Sequence, residues 1–240
     1  MVAIPRTVRP EALDSLAEDA PEAMRSRRDL QRINRAMGAR RIVARALLSG
    51  LGRRAPRRVV ELGAGDGTLM LRVARTLAPR WPGVGVTLLD RQRLVSTETL
   101  ASFRALGWTA RTETADVLEW AARPVCGDCD AIIANLFVHH FDDEPLAGLL
   151  AAIAARTRMF CACEPRRERF PLVGSWLVGS LGANAVTRAD AVLSVHAGFR
   201  GRELSALWPH AEGHWTLNEH SAGLFSHCFV AVRERDPTHE

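Results

Sequence analysis

Two adjacent histidines, His139 and His140, stand just beyond the short apolar run Asp130–Asn135 and just before Phe141-Asp142-Asp143-Glu144. Imidazole titrates near neutrality, so it can take a proton from a hydroxyl at ordinary pH. In parallel sheets ligands collect beyond the carboxyl ends of the strands. A histidine pair in that place is a candidate for general-base chemistry on a bound substrate. The alternative is that the pair only shapes a pocket. Asp142 and Asp143 are the local oxygen ligands for a metal. At the start of a helix, with Pro145 close behind, they read as N-terminal caps, and no metal site is expected.

A second chemical feature lies upstream. In Val59-Val60-Glu61-Leu62-Gly63-Ala64-Gly65-Asp66-Gly67 an apolar run passes into glycine at every second position. Glycine lets the chain turn sharply and lets a ligand approach without a Cβ in the way. The helix expected next offers free backbone N–H groups at its start. A dinucleotide turn would read G-x-G-x-x-G, but here the third glycine comes one residue early and Thr68 holds its place. Acids follow at the ends of the next two strand-like runs. Asp90 lies roughly twenty residues past the glycines, where a carboxylate can accept both ribose hydroxyls. Asp116-Val117 closes the third run.

The form Glu61-x-Gly63-x-Gly65-x-Gly67 resembles motif I of the class I S-adenosylmethionine-dependent methyltransferases. The resemblance covers about residues 57–165, and the last two strands loosely. It implies S-adenosyl-L-methionine as cofactor, cradled by Glu61, Gly63, Gly65 and Gly67, with Asn135 also at the cofactor. It further implies that Asp90 holds the ribose, and that Asp116 and the Val117 N–H reach the adenine. The run His139-x-Phe141-x-Asp143-Glu144 is similar to the H-x-W-x-D-E segment of small-molecule O-methyltransferases, which makes His139 the general base. Phe141 replaces the tryptophan and His140 the usual acid. The N-P-P-[YF] motif of exocyclic and amide nitrogen methylation is missing.

These residues need a frame to hold them. Leu30, Ile33 and Met37, then Ile42, Val43, Ala46 and Leu47, predict two helices between Pro21 and Leu48, and residues 1–20 look poorly specified. From Val59 strands and helices alternate. Val59–Leu62, Val84–Leu89, Thr109–Thr114, Asp130–Asn135 and Met159–Cys163 read as strands; Leu69 to Leu77, Leu100 to Leu106 and Leu146 to Ile153 read as helices. Such alternation means an α/β fold with a parallel sheet and helices on both faces. The rhythm breaks at Glu164. A helical segment from Leu172 to Leu181 and another from Gly201 to Leu207 precede two strands, about His214–Leu217 and Leu224–Val232. The expected layout is one Rossmann-like domain with a seven-stranded methyltransferase sheet. It divides into an N-terminal helical extension (1–56), a cofactor-binding core (57–165), a cap inserted after strand five (166–212) and the last two strands (213–233). Trp176, Leu177, Leu181, Phe199 and Trp208, mixed with polar groups such as Arg188, Asp190 and His196, would line an acceptor pocket in that cap.

Composition narrows the partners. The chain has 240 residues, a formal charge of +5 and no lysine, so all its basic side chains are arginine. The arginines alternate with acids and form no single basic block, so a nucleic-acid footprint is not indicated. No run is apolar enough to span a bilayer, and the start lacks the order of a secretory signal, which together read as a soluble cytoplasmic protein. Cys126 and Cys129 lack a second pair of zinc ligands, and Cys161 and Cys163 share one strand face as buried residues. The leading expectation is methylation of a small hydroxylated acceptor, aromatic or polyketide-like. An RNA or protein methyltransferase would show Arg25, Arg27, Arg28, Arg32, Arg35, Arg40 and Arg41 clustered on one exposed face. A non-catalytic partner module would lack room for an acceptor.

Overall fold

Four strands buried on both faces set the centre of the molecule, and everything at the site hangs from their ends. The protein is described here from a computed structural model, for residues 4–52, 54–125, 129–172, 183–209 and 213–234. Strand β1 (Arg58–Leu62) lies between β2 (Gly85–Asp90) and β4 (Ala131–Asn135), all parallel, and β5 (Met159–Pro165) continues beyond β4. β3 (Thr109–Thr114) forms one edge, pairing with β2. β6 (Trp215–Ala222) and β7 (Ser226–Arg233) form a hairpin, with β7 inserted antiparallel against β5. The sheet order is 3-2-1-4-5-7-6. The central strands are near-continuous Val, Ile, Leu and Ala, as burial on two faces demands.

Helices cover both faces. On one side α3 (Ala39–Leu51), α4 (Thr68–Leu77) and α5 (Thr97–Ala105) close a core around Leu47, Met70, Phe103 and the buried indoles of Trp81 and Trp108. Trp108 Nε1 donates to the Trp81 carbonyl at 2.7 Å, so burying that indole leaves no orphan donor. On the other side α6 (Val117–Ala122) and α7 (Asp143–Ala154) pack with Phe160, Phe199, Trp208 and Phe229. Each fully buried Leu or Phe contributes about 1.5–3 kcal/mol.

Three elements extend this frame over the strand ends. α2 (Pro21–Ala36) meets α3 at an elbow where Gly38 takes φ +72°, and α1 (Ala12–Ser15) is one turn. After β5 come α8 (Ala185–Ala197), which packs against α1 and α2, and the short α9 (Glu203–Leu207). Trp176, Leu177, Leu181 and Cys126 lie outside the described residues. The segment before α2 is more definite than its sequence suggests. Arg6 donates to the carbonyls of Ala197 and Phe141, at 2.9 and 2.8 Å, and pairs with Asp143 at 2.7 Å. The N–H groups of Ala12 and Leu13 donate to Asp190. These bonds are made across the fold by backbone groups and one arginine, which leave no hydrophobic period in the sequence.

Candidate functional site

The sheet order reverses at β1, with β2 on one side and β4 on the other, and the crevice at such a switch point is where open α/β sheets bind ligands. β1, β2, β4 and β5 each carry a polar residue at or next to their last position there. β1 carries Glu61 and turns through Gly63 (φ +63°), Gly65 (+54°) and Gly67 (+72°), all left-handed, into the first turn of α4. A Cβ on Gly63 would sit 2.2 Å from the Phe137 ring, whereas Gly65 has open space around it. β2 delivers Asp90, whose Oδ2 accepts from the Gly65 N–H at 2.8 Å and whose Oδ1 accepts from the Gln92 N–H at 2.9 Å. Asp90 thereby holds the glycine turn in place.

Over this turn lies a cavity of about 560 Å³ lined by Glu61, Gly63, Gly65, Asn135 and Leu136, with Arg35, Arg41 and Arg72 also on its wall. Two polar atoms on its wall are buried without a partner: Glu61 Oε2 and Asn135 Oδ1. A buried orphan acceptor costs about 1–3 kcal/mol, so the pair marks a place for a donor from outside the chain. Asn135 Nδ2 is already spent on Asn34 Oδ1 at 3.0 Å. Burial, with Asp66 and Asp90 nearby, pushes the Glu61 carboxyl well above its usual range. Loss of water contact also lowers the Arg72 guanidinium, and the charges of Arg35, Arg75 and Arg40 add to that.

A second, smaller cavity of about 230 Å³ lies between α2, α8 and the N-terminal segment. Leu13, Leu30, Ile33, Met37 and Val195 make much of it apolar, with Glu11, Asp29 and Asp190 on its wall. Leu30, Ala36 and Leu136 line both cavities, so the two adjoin. Leu136 is the one non-glycine residue with positive φ (+50°) among the described residues. The turn it makes aims the N–H groups of Phe137 and Val138 at Glu164, at 3.1 and 3.2 Å.

Glu164 is the penultimate residue of β5, one residue beyond the strand the sequence outlines, and it is fully buried. Besides those two N–H groups it meets His139 Nδ1 at 2.6 Å. His139 is itself buried, in the 3₁₀ turn Val138–His140, and its Nε2 faces Glu11 Oε1 at 3.4 Å. Burial opposes charge on this ring, but the hydrogen bonds to Glu11 and Glu164 outweigh it and raise the His139 pKa to about 9. Burial likewise opposes charge on Glu11, yet its bonds to the two histidines hold it well below the usual carboxylate range. His140 donates from Nδ1 to the Phe137 carbonyl at 2.8 Å and turns its Nε2 to Glu11 Oε2 at 3.4 Å.

The structure thus brings Glu61, Gly63, Gly65 and Asn135 to one cavity, with Asp90 one hydrogen bond behind. Asp116 and Val117 lie apart: Asp116 caps α6, accepting from the N–H groups of Leu118 and Glu119, and neither residue lines the two cavities. His139 and His140 are not on either cavity wall; Glu11 stands there in front of them. Asp142 occupies the cap position of α7 without a side-chain bond. Glu164 and Glu11 were not foreseen. An acid closing an apolar strand, the signal that marks Glu61 and Asp90, was also present at Glu164; nothing in the sequence marks Glu11.

Comparison with solved structures settles the fold. The chain superposes on the plantazolicin methyltransferase BpumL in complex with SAH with a TM-score of 0.61 at 14% identity, over 90% of this chain and 92% of that one. The chain has the fold of the class I S-adenosylmethionine-dependent methyltransferases. Magnesium protoporphyrin IX methyltransferase (ChlM) from Synechocystis PCC 6803 with bound SAH matches this methyltransferase fold at a TM-score of 0.58 and 16% identity, over 90% and 96% of the two chains. The pyocyanin biosynthetic protein PhzM matches at 0.58 and 18%, over 90% and 60%. By sequence the chain is 32% identical over 164 residues to a trans-aconitate 2-methyltransferase of Mycolicibacterium gilvum (strain PYR-GCK), which is 68% of this chain and 51% of that protein. It is 37% identical over 93 residues to a trans-aconitate 2-methyltransferase of Mycobacterium tuberculosis (strain ATCC 25177 / H37Ra), 39% and 31% of the two. The chain therefore spans about half, or less, of these relatives. No protein-family model matches it. Among the described residues no helix is long and apolar enough to cross a membrane.

Proposed function

We propose that this chain transfers a methyl group from S-adenosylmethionine to a small, largely apolar, hydroxylated acceptor. What carries the reading is the pairing of two cavities across Leu136: one polar, at the glycine turn, with two unsatisfied acceptors; the other apolar. The cofactor supplies an electrophilic methyl group on a sulfonium sulfur. Glu61 and Asn135 present their orphan oxygens to its amino-acid end, and Gly65 leaves room for it, whereas Gly67 lies off the cavity wall and faces Leu88. Asp90 keeps lone pairs for the ribose hydroxyls while it holds the Gly65 N–H. The resemblance assigns the adenine to Asp116 and the Val117 N–H, which lie outside both cavities, with Asp116 Oδ1 already accepting from the Leu118 and Glu119 N–H groups.

On the acceptor side the residues align rather than activate. Leu30, Ala36 and Leu136 bring the two ligands together at the shared wall, and such alignment supplies much of a methyl transfer's acceleration. At a pKa of about 9, His139 holds its proton at neutral pH and serves as base only after losing it. Glu11, Asp29 and Asp190 on the apolar wall outnumber Arg32, which pairs with Asp29 at 3.1 Å, and so disfavour a polycarboxylate of the kind that the relatives' names specify. An aromatic or polyketide-like hydroxyl compound suits that wall better.

Mass spectrometry of phenolic, polyketide-like and polycarboxylate acceptors, incubated with the protein and methyl-labelled cofactor, tests this. Label in an apolar hydroxylated compound is the expected outcome. Label only in polycarboxylates overturns the acceptor assignment, and label in none of them, with RNA or protein labelled instead, overturns the reading.

A further inference from the structure

The two histidines share a geometry that the methyl-transfer reading does not use. They are consecutive in a 3₁₀ turn, and their rings lie 4.2 Å apart at 32°. In each ring Nδ1 is already committed: His139 to Glu164 at 2.6 Å, His140 to the Phe137 carbonyl at 2.8 Å. Both Nε2 atoms then converge on one carboxylate that arrives from the N-terminal segment. Each lies 3.4 Å from a Glu11 oxygen. The three donor atoms fall within 4.8 Å of one another. Asp14 Oδ2 follows at 3.8 Å from His140 Nε2.

Counting protons makes this arrangement awkward as a simple hydrogen-bond network. A carbonyl only accepts, so His140 carries its proton on Nδ1. To donate to Glu11 as well, its ring would need both protons. The same holds for His139 if it donates to Glu164 and Glu11 together. With His140 donating from Nδ1, its Nε2 lone pair faces a carboxylate oxygen at 3.4 Å. A cation where the three atoms converge accepts from both rings and the carboxylate and removes that opposition.

We infer that Glu11, His139 and His140 form a binding site for a divalent transition metal ion, with Asp14 the nearest additional oxygen ligand. Both histidine-to-carboxylate separations, each to its own Glu11 oxygen, are 3.4 Å, close to the edges of roughly 3.3–3.4 Å that about 2.0–2.1 Å bonds give in a tetrahedron. Two imidazoles and a carboxylate select Zn²⁺ and its neighbours over Mg²⁺ or Ca²⁺, which prefer oxygen alone. The surroundings are those a metal site requires, since Glu164 and the Phe137 carbonyl each hold a ligand ring by its other nitrogen. Binding displaces the His139 Nε2 proton to solvent. The ion would tie the N-terminal segment to the end of β4, behind the wall of the apolar cavity to which Glu11 and Ser194 belong.

The inference stands apart from the methyl-transfer reading, because its test reads bound metal and not turnover. Chelator-stripped, tag-free protein is titrated calorimetrically with Zn²⁺ and, separately, Mg²⁺. One Zn²⁺ per chain is expected, with Mg²⁺ bound far more weakly and protons released in proportion. His140→Ala and Glu11→Gln each lower the Zn²⁺ affinity by at least about tenfold, while His220→Ala, on the exposed β6, leaves it unchanged. His140 is partly exposed, so its variant is expected to fold, and the melting temperature without metal checks this. A rise in melting temperature on adding Zn²⁺ that is lost in both site variants supports the site independently. No Zn²⁺ bound to the parent, or equal affinity in the parent and in folded His140→Ala, overturns it.

Discussion

The carboxylate of Glu164 meets His139 Nδ1 at 2.6 Å in full burial, so a charge pair sits beneath the turn that joins the two cavities. This makes His139 a structural cation in metal-free protein before it is anything else. Its pKa rises from 6.5 to about 9 on folding, and the sign follows. The added stability is fully present below about pH 6.5 and is lost as pH rises through about 9, for a total on the order of 3 kcal/mol. Urea denaturation of chelator-treated protein across pH 6–10 should show this decline, and His139→Gln should flatten it. A profile unchanged by the substitution would contradict the pairing.

Gly63 and Gly65 differ in what surrounds them, and alanine should separate them. At Gly63 a Cβ meets the Phe137 ring at 2.2 Å as well as a left-handed φ. Overpacking and backbone strain together cost roughly 2–5 kcal/mol, enough to unfold much of the chain. At Gly65 only the backbone term, about 1–2 kcal/mol, applies. Gly65→Ala should stay folded by circular dichroism while its added methyl, facing the cavity, weakens cofactor binding. Similar melting temperatures for the two variants would count against this account.

Asp90→Ala removes an acceptor from the Gly65 and Gln92 N–H groups and, on the proposed function, from the ribose. Affinity for S-adenosylhomocysteine should fall about ten- to a hundredfold, with a modest loss of melting temperature from the loosened turn. An unchanged dissociation constant in folded Asp90→Ala would remove Asp90 from the site.

Arg6 should matter more than the acid it pairs with. Its guanidinium bonds three carbonyls, of Ala197, His139 and Phe141, and lies 4.6 Å over the Phe199 ring, whereas Asp143 is largely exposed. Arg6→Ala is expected to cost about 1–3 kcal/mol, and Asp143→Asn less than about 1 kcal/mol. Because carbonyls and a ring dominate, the arginine's contribution should persist in high salt. Equal effects of the two substitutions, both erased by salt, would make the contact a mere surface ion pair.

Much of this architecture is legible in the sequence because the central strands are buried on both faces and read as unbroken apolar runs. Thr109–Thr114 was placed to the residue, and the two N-terminal helices follow from the spacing of Leu30, Ile33, Ile42 and Leu47. The last strands were harder. β6 extends to Ala222, beyond the Leu217 that its apolar residues suggest, because an edge strand needs only alternate burial. The cofactor-side residues Glu61, Gly63, Gly65 and Asn135 were legible because a strand end leaves few places for polar side chains. The segment from Arg6 to Asp14 was not. Its fold rests on single side chains bonded to residues more than a hundred positions away, and such bonds carry no local pattern.

The central claim is that the cavity over the glycine turn receives S-adenosylmethionine. Calorimetric titration with S-adenosylhomocysteine tests it most directly, with NAD as the comparison and Glu61→Ala as the control for place. The account predicts one S-adenosylhomocysteine per chain, clear weakening in the variant and no heat with NAD. Binding of NAD without S-adenosylhomocysteine, or binding of S-adenosylhomocysteine that Glu61→Ala leaves untouched, would contradict it.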